Sequence, residues 1–116
     1  MQIRTTSLGE YIAKVLATKP TVVIYEVEEW GFCSTNIYAR DSYFTYFTTL
    51  EDAKYHFDNV VKLSKLSREH SNIMKEVCAT TLSYREEGCT LRKITVSIEG
   101  CRKEVLVTNT IQLLFS

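Results

Sequence analysis

The residues best equipped for chemistry in this chain are four cysteines, two histidines and a short run of acids. Cys33, Cys78, Cys89 and Cys101 are separated by 45, 11 and 12 positions. A structural zinc site draws two ligands from one tight loop, as in C-x-x-C, because a tetrahedral ion needs both from the same turn. No such pair occurs, and neither His56 nor His70 lies beside a cysteine. The spacing therefore predicts no metal and no cofactor. Cys33 with His56 or His70 has the composition of a nucleophile and base, but nothing adjacent lowers that thiol's pKa or orients an imidazole. Glu26, Glu28 and Glu29 are carboxylates of the kind that do acid–base work; in their strand context they read as a solvated edge. The four glycines stand alone at 9, 31, 88 and 100, so no phosphate-cradling loop is present. The expectation is a protein without catalytic residues, not an enzyme.

The charge balance points the same way. Fourteen basic residues match fourteen acidic ones, so no overall field draws the chain to nucleic acid or an anionic membrane. Residues that are 45% hydrophobic and 24% charged, with one proline, predict a single ordered domain over 1–116. MQIRTTSLGEY lacks the apolar run of an export signal, and no stretch reaches the roughly 20 apolar residues that span a bilayer. We therefore expect a cytoplasmic protein with no membrane association and reduced thiols.

The predicted elements form an α+β fold. Ser7 and Glu10 stand at capping-box spacing, and Leu8, Ile12, Val15 and Leu16 line one face of an N-terminal helix ended by Pro20. A three-stranded antiparallel meander follows: TVVIYEVEEW, a turn at Trp30-Gly31-Phe32, FCSTNIYA, a turn at Arg40-Asp41-Ser42, and the aromatic strand 43–48. Thr48 and Glu51 cap a central helix with Leu50, Ala53, Phe57, Val60 and Val61 on its apolar stripe. Beyond Val61 the stripe changes register through Leu66, Ile73, Met74, Val77 and Cys78, which leaves one or two central helices and an unplaced boundary between 67 and 82. Turn signals at Glu87-Gly88 and Glu99-Gly100 then predict a C-terminal three-stranded antiparallel meander.

Two aromatic features bear on function. RDSYFTYFTTLEDA loosely resembles the third strand and following helix of the RNA-recognition motif family, with Arg40, Phe44 and Phe47 at matching positions. Asp41 and Tyr46 depart from that pattern, and no helix separates the two strands before it. The resemblance implies single-stranded nucleic-acid binding on the aromatic strand, the alternative reading, with an enzyme of unrecognised site as a further one. Lys62, Lys65, Arg68 and Lys75 fall at helical spacing and read as a solvated face. The second feature is Trp30 and Phe32 astride Gly31, where a turn tip would ordinarily be small and polar. With Tyr38 and Tyr43 they form a candidate partner-binding set, since Trp and Tyr dominate interface hot spots. The expected function is a small interaction protein that binds or inhibits another macromolecule, most simply a protein; in size and composition it is like accessory, immunity or phage-inhibitor proteins. EVLVTNTIQLLFS has no charge after Glu104 and no proline, so the C-terminal strand is a candidate homodimer edge.

Overall fold

In the computed structural model, residues 1–33, 36–62 and 83–115 are described, with side chains over 1–30, 42–62 and 88–110. Their order is β1 (Gln2–Ile3), a 3-10 turn (Thr5–Ser7), α1 (Leu8–Leu16), β2 (Thr21–Cys33), β3 (Asn36–Phe47), α2 (50–62), β4 (Ser83–Ser97) and β5 (Gly100–Phe115). The strands make one antiparallel sheet in the order β1-β3-β2-β4-β5. The fold is α+β, as the sequence predicts, but it is built from two long hairpins and a short edge strand rather than two meanders of three.

The difference has a local cause. Trp30-Gly31-Phe32 and Arg40-Asp41-Ser42 are not turns; they pair with one another inside β2 and β3, Trp30 opposite Ser42 and Phe32 opposite Arg40. Glu87-Gly88 likewise lies within β4. A Cβ placed on Gly88 would fall 2.1 Å from Cζ2 of the Trp30 ring on the neighbouring strand. This glycine makes room for an indole and does not bend the chain. Only Glu99-Gly100 is a true turn, where Gly100 adopts φ +159°, an angle rarely taken by residues with a Cβ. The shift of apolar register after Val61, and the helix-to-strand boundary, lie outside the described residues.

Alternation along the strands gives the sheet two apolar faces, each with its own helix. On one, Val22, Ile24 and Ile3 pack with Leu8, Tyr11, Ile12, Val15 and Leu16 from the α1 side and with Tyr46 and Val96. On the other, Val27, Phe47, Cys89 and Leu91 pack against Ala53 and Phe57 of α2, flanked by Leu50, Val60 and Val61. Ser7 is the N-cap of α1 but makes no side-chain cap bond. The α2 cap is Thr49 rather than Thr48, its Oγ1 accepting from the Asp52 amide at 3.3 Å. Thr48 instead binds the Met1 carbonyl through both its amide and its hydroxyl, and the Met1 ammonium pairs with Asp52. These bonds tie the N-terminus, and β1 with it, to the start of α2.

The strands outrun α1. Sixteen residues of β5 extend about 50 Å at the usual rise per residue, against about 14 Å for the nine of α1. The described residues accordingly span 59 × 27 × 23 Å. The α1-side cluster lies toward the 98–99 turn, and the sheet continues past both clusters through residues 30–33, 36–44, 83–88 and 110–115. Leu91, fully buried beside Val27 at the centre, is the keystone of the α2 side. Leu91→Ala is expected to cost about 2–5 kcal/mol in urea unfolding, a large part of the stability of a domain this size.

Candidate functional site

At the limit of the α1 core the sheet buries charge. Glu26 and Glu28 share a face of β2 and are only 2% and 5% exposed, so they are interior groups and not the solvated edge that the sequence suggests. Arg92, cross-strand from Glu26, reaches both: its guanidinium lies 3.0 Å from Glu26 Oε1 and 2.8 Å from Glu28 Oε1. Ser42 Oγ donates to Glu28 Oε2 at 2.6 Å, and Lys103 Nζ stands 3.9 Å from Glu26 Oε2. Burial lowers the pKa of Arg92, but bonds to Glu28 and Glu26 outweigh it and hold the guanidinium above its usual value. Tyr46 is pushed up to about 12, first by burial and then by the charge and hydrogen bond of Glu26. The network takes a side chain from each of β2, β3, β4 and β5.

The indole of Trp30 continues this face. Nε1 donates to Thr90 Oγ1 at 3.2 Å, and Thr90 is itself buried beside the Thr108 hydroxyl. Trp30 is half-buried, its ring over Gly88. The aromatic strand divides cleanly: Phe47 is core beneath α2, Tyr46 is half-buried toward α1, and Tyr43 and Phe44 are 68% and 36% exposed. Tyr43 lies opposite Glu29, and Phe44 opposite Glu28, which puts them on opposite faces. The candidate set is therefore split, with Tyr43 on the α2 face and Trp30 on the α1 face. Phe32 and Tyr38 lie in β2 and β3, and their side chains are outside those described.

On the α2 face the structure brings Glu29 next to both Cys89 and His56, a grouping that no sequence spacing signals. Glu29 is the cross-strand neighbour of Cys89, and its Oε2 is 4.0 Å from His56 Nε2. The His56 ring sits 5.2 Å from that of Phe47, and its Nε2 has no hydrogen-bond partner. Burial pushes the Cys89 thiol up to about 12, with Glu29 and Glu28 adding to the effect. Acids beside a buried thiol disfavour the thiolate, the opposite of what nucleophilic catalysis requires. Among the described residues no three ligand-type side chains are arranged to hold a metal ion, and no helix is long and apolar enough to cross a membrane. No family model, no curated protein and no solved structure matches the chain.

Three outcomes test this geometry. Gly88→Ala drives a Cβ into the Trp30 ring, so unfolding stability should fall by about 1–3 kcal/mol and Trp fluorescence should shift. Cys89 and Tyr46 have folded pKa values of about 12, above their ordinary values of 9.0 and 10.0. Protonated in the fold, they contribute stability that is whole below pH 9 and is lost as pH rises toward 12. With Cys33 and Cys78 replaced by serine, a thiol reagent at pH 8 should modify exposed Cys101 at once and Cys89 only upon unfolding.

Proposed function

We propose that the protein acts by binding another macromolecule, a protein in the first instance, through the part of the sheet that runs beyond α1 and carries Tyr43. The observation that carries this is Tyr43, a large aromatic 68% exposed on a sheet rather than on a loop. An aromatic held on a strand by the pairing of β3 with β2 loses little entropy when a partner covers it, which favours it as an anchor. Phe32 and Tyr38 belong to the same stretch of β2 and β3 and extend the proposed contact region, while Trp30 stands on the face opposite Tyr43. There its ring packs on Gly88 and bonds Thr90, so it supports the sheet.

A protein partner is favoured over single-stranded nucleic acid by the charges beneath the aromatics. Phe44, the aromatic that would stack a base, stands opposite buried Glu28, and the cations of this network, Arg92 and Lys103, are already paired with Glu26 and Glu28. A phosphate backbone gains affinity from unpaired cations, which this face does not concentrate. Catalysis is disfavoured by the raised Cys89 thiol. A cytoplasmic setting, with the thiols reduced, completes the proposal.

Affinity capture from the native host with wild type and Tyr43→Ala provides the test. Tyr43→Ala should leave thermal unfolding nearly unchanged and weaken the captured interaction by about 2 kcal/mol or more, on the order of thirtyfold. Equal capture by both would remove Tyr43 from the contact. Salt-sensitive binding of single-stranded RNA or DNA, lost in Phe44→Ala, would replace the protein-partner reading with the nucleic-acid one.

A further inference from the structure

We infer that β5 pairs antiparallel with β5 of a second copy about a two-fold axis at Thr110, joining two sheets edge to edge. This surface is separate from the one around Tyr43, and it stands or falls independently of it.

The sheet has two edges, and they differ. Among the described residues β5 bonds only to β4, and none of them pairs with the other side of its backbone. The opposite edge is β3, covered at Tyr46 and Phe47 by β1 and carrying Arg40 and Asp41 in its uncovered length. Charges in an edge strand discourage pairing with another chain, because a second strand would desolvate them. β5 confines its charges to Arg102, Lys103 and Glu104 at its start. Immediately after them the ladder with β4 shifts, Leu91 facing Val107 and Arg92 facing Val105, so Leu106 is an extra residue in β5. The three charges mark where pairing should stop. From Val105 to Phe115 the strand has neither charge nor proline.

That neutral stretch matches its own reverse. Val105, Leu106 and Val107 are exposed at 58%, 40% and 40%, three apolar residues in a row at a sheet edge. Antiparallel pairing about Thr110 sets Val105, Leu106 and Val107 opposite Phe115, Leu114 and Leu113 of the second copy, and Thr108 opposite Gln112. The polar middle pairs with itself and each apolar end meets the other apolar end. A two-fold operation makes every such contact twice, which is how a self-complementary strand closes a dimer and leaves no β5 edge unpaired. No like charges face one another anywhere in this ladder. Main-chain bonds supply the attraction and the apolar ends set the register.

The test is mass against concentration, read with two variants of the full chain. By sedimentation or light scattering the average mass should rise from the 13.4 kDa of one chain toward twice that value as protein increases through the micromolar range. Thr110 is exposed, so Thr110→Lys is tolerated by the monomer yet places two ammonium groups together on the axis. It should hold the protein monomeric with unchanged melting. In a Cys101→Ser background, Thr110→Cys should form an intermolecular disulfide with diamide as oxidant, since residues opposite across antiparallel strands have Cα atoms about 4.5–5.5 Å apart, within disulfide reach. Asn109→Cys, whose partner is Ile111, should not. A mass fixed at one chain through high micromolar concentration, a dimer that survives Thr110→Lys, or equal cross-linking at both positions would overturn the proposal.

Discussion

The guanidinium of Arg92 between Glu26 and Glu28 is the interaction on which the rest of the sheet depends. Two carboxylates almost wholly removed from water would be very costly alone, and one cation at 3.0 and 2.8 Å meets both. Because Ser42, Tyr46 and Lys103 join them, each long strand places at least one member on the same face. Side chains alternate with a period of two, so a one-residue slip of any strand would turn its member to the other side and strand a buried charge. The network thus works as a register lock, a role that an apolar patch of the same area would perform less strictly.

This lock stands where the cover of α1 stops. α1 covers the apolar rows of Val22 and Ile24, and the next two residues on that face are Glu26 and Glu28. Past them the face continues with Trp30, whose ring lies over Gly88. A short helix can therefore support a long hairpin, because paired charge and a flat indole continue the face beyond it. Tyr43 and Phe44 are exposed on this extension, and it is their position on a locked scaffold that makes a binding role the best account of them.

Both helices, the apolar stripes that face the sheet and the Glu99-Gly100 turn were legible in the sequence, because each rests on local spacing. The strand count was not. Gly31 and Gly88 read as turn residues, and the pairing that gives Gly88 its purpose joins positions 30 and 88, distant in sequence. β1 is two residues long, too short to carry any alternation. Glu26 and Glu28 looked solvated because acids in a strand usually are; their burial follows from Arg92, 66 positions on from Glu26. The exposed edge was the most legible feature of the surface, since the lack of charge after Glu104 needs no partner to be seen.

The most direct test of the lock is urea unfolding of Arg92→Met beside the triple variant Glu26→Gln, Glu28→Gln, Arg92→Met. If the guanidinium holds the sheet in register, Arg92→Met alone should lose about 3–5 kcal/mol, and neutralising both acids should restore a substantial part of that loss. If Arg92→Met unfolds within about 0.5 kcal/mol of wild type, as an ordinary surface substitution would, the buried pair does not carry the fold.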